Sequence, residues 1–333
     1  MLLREFDIIN KYFKPLASNC DVAMNLQDDV AKISLKKNQQ LVVSKDLMIE
    51  DVHFLLDKKD KNNGRNIAEK LLRSNLSDLA ASGARPLYYM LGFSKNNNID
   101  EKFIASFAQG LKRVQKEFTL DLIGGDTVSS RKLVFSVTIF GVIENDQMLS
   151  RSKARVGDII FVSGTIGDSY IGLQNLLKKI SLDKKSQQFF LKRHFMPTPP
   201  IRLAQELVRN KLSQCAVDIS DGLFADLLHI CDASKLQAEI NFDKIPLSNQ
   251  MKLLLKKYPK INIADLASAG EDYEIIFTAN ANNFSKIKAV ARKLKIRISE
   301  IGVMKEAKNS QKKLRVLMQD KKEITITNYG YKH

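Results

Sequence analysis

The apolar positions of this chain follow two alternating spacings. Alternating or continuous apolar runs, typical of strands, occur at 30–34, 40–44, 87–93, 119–124, 132–143, 158–163, 214–219, 237–242, 273–278, 296–303 and 323–327. Helical spacing falls between them, at 65–83, 100–118, 167–179, 184–194, 200–211, 221–232, 247–257 and 283–294. Because strands and helices alternate throughout, the pattern predicts an α/β (α+β) fold.

The length of the chain favours two domains. A chain of 333 residues is too long for one ordinary core. A polar stretch at 144–157 separates the strand at 132–143 from a new strand–helix unit that begins near Ile159. We therefore predict an N-terminal domain over 1–148 and a C-terminal α/β domain over 149–333.

Composition indicates a globular protein without a membrane segment. Hydrophobic residues make up 44% and charged residues 27% of the chain. The longest apolar run, Leu133–Ile143, is too short to cross a bilayer, and the N-terminal segment resembles an amphipathic helix more than a signal peptide. The three cysteines lack CxxC spacing, so we expect them to be reduced in a cytoplasmic protein without a zinc site.

The formal net charge of +16 suggests nucleic acid or an anionic membrane as a partner. The lysines, however, are scattered among asparagines along helices and turns. No basic stripe interleaved with aromatic residues accompanies them. We expect neither nucleic acid nor a membrane to be a partner.

Five short acidic motifs contrast with this positive charge. They are QDD at 27–29, SKD at 44–46, NLSD at 75–78, GGD at 124–126 and DISDG at 218–222. Each has an ordinary structural interpretation alone, as a turn, an exposed helical Asp or a cap. If the carboxylates converge in the fold, they repel one another unless hard divalent cations bind them, and Mg²⁺ clusters are how proteins hold polyphosphates.

The positions of the motifs on the predicted elements sharpen this interpretation. Strand alternation places Ser44 and Asp46 on one face of their strand. GGD is expected at a strand end, where glycines let the backbone approach a bulky anion. In DISDG, a buried strand ends and a helix begins at Ser220 or Asp221 as N-cap, which leaves Asp218 unexplained by capping.

The common glycine-loop motifs for nucleotides are missing from the sequence. It contains no GxxxxGK[ST], no GxGxxG and no protein-kinase motif set. If the protein handles nucleotides, metal ions held by carboxylates must therefore do the work of a glycine loop. Glycines also open the helix at 167–179, which is a weak indication of an anion site.

Taken in order, these motifs resemble the thiamine-monophosphate kinase family, within the aminoimidazole-ribonucleotide-synthetase-like ATP-binding superfamily. VSGTIGDS at 162–169 and SAGEDYE at 268–274 belong to the same series. The resemblance implies a homodimer that pairs N-terminal sheets and a C-terminal domain that closes the active site. It also implies Mg²⁺-dependent transfer of the ATP γ-phosphoryl group to thiamine monophosphate.

The resemblance assigns roles residue by residue. The implied metal ligands are Asp29, Ser44, Asp46, Asp78, Asp126, Asp218 and Asp221. The implied ATP contacts are Gly125, Asp126, Arg151 and Ser220, and the residues facing the thiamine substrate are His53 and Glu271. Arg151 is expected to stabilise charge, and no side chain is expected to act as a general base, because the phosphate acceptor is already largely dianionic at neutral pH.

The chain departs from the family pattern at Gln27, Lys45 and Asn328. Lys45 replaces a Thr, and Asn328 stands where the family has an aromatic residue, so Tyr329 is a candidate to stack on the thiamine ring. Two alternatives follow. The first alternative is that the protein is another ATP-using enzyme of the superfamily. The second is that it is a catalytically silent, basic binding protein on this scaffold.

Overall fold

The computed structural model describes residues 4–17, 20–144, 147–307 and 312–331. The chain divides into two compact units, Met1–Leu79 with Arg85–Asp146 and Ala80–Ala84 with Gln147–His333. Each unit has its own sheet. Within the described ranges, none of the helices combines the length and apolar character needed to cross a bilayer.

The first unit is built on a four-stranded sheet with the order β1-β4-β2-β3. Its strands are β1 (Gln39–Ile49), β2 (Arg85–Lys95), β3 (Asp121–Ser129) and β4 (Val134–Glu144). Strands β2 and β3 are parallel, and the other neighbouring pairs are antiparallel. Its helices are α1 (Glu5–Ile8), α2 (Lys14–Ala17), α3 (Asn63–Ser82) and α4 (Glu101–Phe118).

One face of this sheet carries the core of the first unit. Phe93 of β2 and Phe135 of β4 are buried with their ring centroids 5.1 Å apart, and the ring of Phe107 from α4 lies 4.7 Å from that of Phe135. Helix α3 buries Leu71 and Leu76 completely, as the helical spacing of its apolar residues requires. Hydrophobic burial therefore determines which face of these elements packs into the core.

The edge strand β1 exposes an apolar row on its other face, interrupted by the exposed Lys45. Leu41, Val43 and Leu47 are 38%, 52% and 49% exposed. They alternate with the half-buried Ser44 and Asp46, as the period of a strand predicts. An exposed apolar row on an edge strand is unusual for a surface that meets only water.

The second unit contains a six-stranded sheet with the order β10-β7-β9-β5-β8-β6. Its strands are β5 (Ile159–Ser163), β6 (Cys215–Asp218), β7 (Leu236–Asn241), β8 (Ile275–Ala279), β9 (Ile298–Glu306) and β10 (Leu314–Leu317). Only the β10–β7 pair is parallel. Its helices are α5 (Asp168–Leu176), α6 (Lys184–Phe195), α7 (Ile201–Arg209), α8 (Leu223–Ser234), α9 (Asn249–Lys257), α10 (Ile263–Ser268) and α11 (Phe284–Leu294).

The predicted fold class is confirmed by this architecture, with three differences among the strands. The segment at 30–34 forms no strand, because its alternating Ala31 and Ile33 pack in a small cluster with Ala23 and Ile123. The segment at 323–327 makes only an isolated bridge. The structure has β10 and the short α10, which the sequence pattern did not predict.

Candidate functional site

Two of the acidic motifs meet in the first unit. The Ser44 hydroxyl donates a 2.6 Å hydrogen bond to Oδ2 of Asp78 in α3. The backbone N–H of Asp46 donates to Oδ1 of Asn75 at 3.2 Å, and the amide of Asn75 donates to the carbonyl of Leu71 at 2.8 Å. SKD and NLSD thus form one group on the side of β1 that faces α3.

Burial and a neighbouring carboxylate disfavour the charged form of Asp46 in this group. Burial, followed by the charge of Asp78, raises the pKa of Asp46 to about 6 from an ordinary value of 3.8. The donors are two carboxylates and a hydroxyl, which are the hard oxygen ligands that Mg²⁺ prefers. The neighbouring Lys45 is exposed and alternates to the opposite face of the strand, so this departure from the family pattern does not place an ammonium group between Asp46 and Asp78.

QDD and GGD also come together in the first unit. Asp28, Asp29, Gly125 and Asp126 all line a cavity of about 160 Å³. Within QDD, the backbone N–H of Asp29 donates to Oδ1 of Asp28 at 2.9 Å. Because these acids share one cavity, Asp29 and Asp126 form a second acidic group in this unit.

The expected strand end at GGD is wrong, because the motif lies inside β3. A Cβ on Gly125 would stand 2.0 Å from the Leu91 carbonyl of β2, so the neighbouring strand already requires this glycine. Asp46 and Gly125 lie in one row across the sheet, through Val137 and Leu91. Strand alternation therefore places Asp126 on the opposite face from Asp46.

His53 takes part in the turn after β1. Its Nδ1 accepts a hydrogen bond from the backbone N–H of Ile49 at 3.1 Å. The backbone N–H of His53 donates to the Ile49 carbonyl at 2.9 Å. An accepting Nδ1 places the proton of the neutral ring on Nε2. These bonds give His53 a structural role, and its role toward a substrate stays a prediction.

DISDG lies at the end of β6 in the second unit. Asp218 is the last residue of this strand and is only 3% exposed. The expectation that Ser220 or Asp221 caps the following helix is wrong, because α8 begins at Leu223 with Gly222 as N-cap. The N–H groups of the turn are bound instead by a side chain that the motif did not include.

That side chain is Asp226, in the first turn of α8. Its Oδ2 accepts hydrogen bonds from the backbone N–H groups of Ser220, Asp221 and Gly222 at 3.1, 3.0 and 3.0 Å. Burial, followed by the charge of Asp221, raises the pKa of Asp226 to about 7, and Arg151 acts in the opposite direction. The only sequence signal for Asp226 is one charged position in the otherwise apolar start of a helix.

Arg151 is positioned by its backbone in a short 3₁₀-helix, Arg151–Lys153. Its carbonyl accepts a 2.7 Å hydrogen bond from the Ser234 hydroxyl at the end of α8, and the Cys215 thiol lies 3.7 Å from the same oxygen. The side chain of Arg151 is exposed, and its charge acts on Asp226. Arg151 therefore belongs to the surroundings of DISDG.

The SAGEDYE segment runs beside DISDG. The N–H of Glu271 donates to the Ser220 carbonyl, and that of Tyr273 donates to the Ile219 carbonyl, both at 2.8 Å. Glu271 and Tyr273 have φ angles of +68° and +52°, which residues other than glycine rarely adopt. The hydrogen bonds to DISDG hold these unfavourable conformations in place.

Glu271 has a neighbour that sequence reasoning missed. Nδ1 of the buried His194, in α6, lies 3.5 Å from Oε2 of Glu271 and 3.2 Å from the Ser169 hydroxyl. No motif of the sequence pointed to this histidine, because α6 is distant along the chain from SAGEDYE. Only the packing of the second unit brings the two segments together.

The glycine-opened helix α5 already binds an acid of its own chain. The N–H of Gly167 donates to Oδ2 of the buried Asp272 at 2.8 Å. Arg193 lies 3.6 Å from Asp168 and 3.1 Å from Glu274. These interactions account for the glycine pattern at 162–169 as internal structure.

The last described residues also contact DISDG. The N–H of Tyr331 donates to the Asp221 carbonyl at 2.9 Å, and the Ser268 hydroxyl donates to the Asn328 carbonyl at 2.5 Å. Tyr329 is half-buried and packs against the core cluster, whereas Tyr331 is 56% exposed. Tyr331 therefore presents more aromatic surface beside the motif than Tyr329 does.

Apart from His53, which lies in the turn after β1, the predicted site residues thus fall into three groups. The first unit contains Ser44 with Asp46 and Asp78, and separately Asp29 with Gly125 and Asp126. The second unit gathers Asp218, Ser220, Asp221, Arg151 and Glu271. Among the described residues, one cluster of possible metal ligands has its atoms mutually within 4.8 Å, namely Asp221, Asp226 and His229.

Comparison with known proteins identifies this arrangement. Residues 27–143 match the family model for the AIR synthase related protein, N-terminal domain, and residues 155–314 match the corresponding C-terminal domain. The fold and the site therefore belong to the class of two-domain AIR-synthase-related proteins.

The relatives narrow this class. The chain is 36% identical over 308 residues to the thiamine-monophosphate kinase of Haemophilus influenzae, covering 92% of this chain and 90% of the relative. The crystal structure of a thiamine-monophosphate kinase from Stenotrophomonas maltophilia K279a matches with a TM-score of 0.81 at 30% identity, over 94% of this chain and 96% of the other. The chain belongs to the thiamine-monophosphate kinase family and is a kinase.

A further solved structure carries ligands. AaThiL complexed with AMPPCP and TMP matches with a TM-score of 0.75 at 27% identity, over 99% of both chains. The resemblance stated from the motifs is thereby confirmed as a family relationship. The roles of individual residues stay predictions.

Proposed function

We propose that this protein transfers the γ-phosphoryl group of ATP to thiamine monophosphate and so forms thiamine diphosphate and ADP. The full-length similarity to thiamine-monophosphate kinases carries this proposal. The relative that binds AMPPCP, a non-hydrolysable ATP analogue, together with TMP supports the same pair of substrates. We further propose that the chain is divided into the two domains 1–148 and 149–333.

The proposed cofactor is Mg²⁺. The proposed ligands are Asp29, Ser44, Asp46, Asp78, Asp126, Asp218 and Asp221. The raised pKa of Asp46 supports this choice, because burial and then the charge of Asp78 disfavour its carboxylate form, which a bound cation would favour. When bound, Mg²⁺ supplies positive charge that neutralises the phosphates and aligns them.

The remaining residues are proposed to bind and orient the two substrates. Gly125, Asp126, Arg151 and Ser220 are proposed to contact ATP, and His53 and Glu271 are proposed to face the thiamine part of the acceptor. Glu271 is suited to a cationic ligand, since its side chain is 28% exposed and its backbone is held by Ser220. Tyr331 is the better candidate to stack on the thiamine ring.

The proposed mechanism is a direct in-line transfer. The acceptor is a phosphate with a second pKa of about 6, so no side chain needs to remove a proton at neutral pH. The main barrier is repulsion between two anions, about 4 kcal/mol for a pair of unit charges at 4 Å and an effective dielectric of 20. Arg151 is proposed to offset part of this charge on the ATP phosphates.

We also propose a cytoplasmic homodimer that uses the exposed apolar row of β1. Leu41, Val43 and Leu47 supply the surface that the family resemblance assigns to sheet pairing. Reduced cysteines fit this location, since Cys215 and Cys231 are buried free thiols. The scattered positive charge supports neither nucleic acid nor membrane as a partner.

The decisive experiment is an assay of ADP release. Purified protein is mixed with ATP, MgCl₂ and thiamine monophosphate, and the thiamine product is identified by mass spectrometry. We expect release that requires both the thiamine phosphate and Mg²⁺. No release, with thiamine monophosphate nevertheless bound, would favour the silent binding protein. Release with another acceptor would favour a different enzyme of the superfamily.

A further inference from the structure

The carboxylate of Asp226 accepts hydrogen bonds from the backbone of the DISDG turn. One oxygen, Oδ2, accepts from three consecutive N–H groups, those of Ser220, Asp221 and Gly222. Asp226 is only 2% exposed, so little water can replace it. The acid therefore lies behind the turn, on the protein side.

Consecutive N–H groups converge on one oxygen only when the backbone bends into a concave turn. Gly222 allows this bend with φ +128°, a value that a side chain rarely tolerates. A Cβ on Gly222 would stand 2.6 Å from the Ser268 carbonyl, so the turn is also pressed against the neighbouring segment. Asp226 and Ser268 together leave the turn little freedom.

This restraint bears on the side chains that the turn presents. The backbone on both sides of Asp221 is bound to Asp226, and the Asp221 carbonyl itself accepts from Tyr331. We propose that Asp226 is a positioning residue for the kinase site: its buried carboxylate holds the Ser220–Gly222 turn in the conformation that presents Ser220 and Asp221 to the metal–nucleotide complex. This inference rests on the proposed function, which places Ser220 and Asp221 in that site.

A direct metal-binding role for Asp226 is the competing interpretation. Asp221, Asp226 and His229 bring possible ligand atoms within 4.8 Å of one another. The three N–H donors already surround Oδ2 of Asp226, so a cation beside that oxygen would have to displace them and a metal-binding role would fall to Oδ1. The two roles also predict opposite results for an Asp226→Asn variant, because an amide oxygen can accept the same N–H groups but is a poor ligand for Mg²⁺.

The test compares Asp226→Asn, which keeps an acceptor, with Asp226→Leu, which removes it at similar size. Asp232→Asn in the same helix is the matched control, because Asp232 is exposed and pairs with Lys313. Binding of AMPPCP is titrated with MgCl₂ at a temperature well below the melting point of every variant. Amide hydrogen exchange at 220–222 is measured in parallel by NMR.

We expect Asp226→Asn and Asp232→Asn to stay within about threefold of the wild-type Mg²⁺ half-saturation and to keep amide protection at 220–222. Asp226→Leu should raise the half-saturation at least about tenfold, since each buried N–H without a partner costs about one power of ten in an equilibrium. It should also lose protection at 220–222. His229→Asn should resemble the wild type.

Two outcomes would overturn the inference. If Asp226→Asn weakens Mg²⁺-dependent binding as much as Asp226→Leu, Asp226 acts as a ligand or through its charge. If Asp226→Leu loses amide protection but binds AMPPCP and Mg²⁺ normally, the role is only structural. The readouts do not need turnover, so failure of the wild type to phosphorylate thiamine monophosphate would reject the proposed function and leave this test interpretable.

Discussion

The hydroxyl of Ser44 donates a 2.6 Å hydrogen bond to Oδ2 of Asp78, and this bond joins strand β1 to helix α3. The two residues are separated by 34 positions in the chain. The bond fixes the rotamer of the Asp78 carboxylate beside Asp46, whose pKa Asp78 helps to raise. A motif on a strand and a motif on a helix thereby form one acidic group.

Removing the Ser44 hydroxyl should weaken metal binding in this group. We expect Ser44→Ala to raise the Mg²⁺ half-saturation of kinase activity by about tenfold, because a hydrogen bond to a charged group contributes about 1.5–3 kcal/mol. Ser106→Ala is the control, since its hydroxyl bonds the Lys61 carbonyl elsewhere in the unit. An unchanged half-saturation in Ser44→Ala would remove Ser44 from the proposed ligands.

The raised pKa of Asp46 predicts that this acid destabilises the protein in the absence of metal. Its folded-state pKa of about 6 exceeds the ordinary value of 3.8, so the folded state binds the proton more tightly. The stability that protonated Asp46 contributes is fully present below about pH 4 and is lost as the pH rises through about 6. Asp46→Asn should therefore stabilise the metal-free protein at pH 7.5, on the order of 2 kcal/mol, and much less at pH 4.

Urea denaturation at the two pH values, in EDTA, measures this effect. Asp21→Asn is a suitable control, because Asp21 is exposed in the same unit. Added MgCl₂ should stabilise the wild type more than Asp46→Asn. An Asp46→Asn variant that is less stable than the wild type at pH 7.5 would contradict the prediction.

The contact between His194 and Glu271 predicts a specific effect on the thiamine substrate. Glu271→Gln should raise the KM for thiamine monophosphate by about tenfold, with little change in the KM for ATP. The reason is that the proposed charge-assisted contact between the Glu271 carboxylate and the thiamine substrate is lost. His194→Leu should have a similar effect, since Glu271 loses its neighbour 3.5 Å away. His194→Asn should restore most of the affinity, because its amide nitrogen can occupy the place of Nδ1.

Steady-state kinetics with each substrate varied in turn test this pair of residues. The double variant His194→Leu with Glu271→Gln should be no worse than Glu271→Gln alone if the histidine acts through the glutamate. Additive losses of affinity in the double variant would show that His194 and Glu271 act independently. Equal increases in the KM for ATP and for thiamine monophosphate would also contradict the prediction.

A buried ion network in the first unit predicts a large effect on stability. Glu69 is fully buried, lies 3.5 Å from Arg73 and lies 3.4 Å from Arg113. Arg73→Leu should cost about 3–5 kcal/mol, because it removes a buried cationic partner of the buried Glu69 and also the partner of Glu117. Arg113→Leu should cost less than about 1 kcal/mol, since the Arg113 side chain is 53% exposed. Chemical denaturation of both variants measures the contrast, and equal losses would contradict it.

The apolar row of β1 predicts the oligomeric state. Val43 is 52% exposed and pairs with Phe140 in the sheet. Val43→Glu should convert a dimer to a monomer in sedimentation velocity, because burying an unpaired carboxylate in an apolar interface is costly. Leu253→Glu, at an exposed position of α9, should stay dimeric. A wild-type monomer at micromolar concentration would contradict the proposed homodimer.

Much of the fold followed from local sequence patterns. The helical spacing at 65–83 predicted α3, and the alternation of Ser44 and Asp46 predicted their common face. Such patterns are readable because side-chain direction repeats every 2.0 residues in a strand and about every 3.6 in a helix. The strand predicted at 30–34 failed because alternation alone does not show whether a partner strand is available.

The sequence by itself determined the fold class and the family motifs, because periodicity and short polar motifs are local properties of the chain. Only the tertiary structure decided that Asp226 binds the DISDG turn, that His194 contacts Glu271, and that Asp272 fills the opening of α5. It also showed that Gly125 is required by the Leu91 carbonyl. These partners are distant in sequence or unremarkable within it, so only the packing of the chain brings them together.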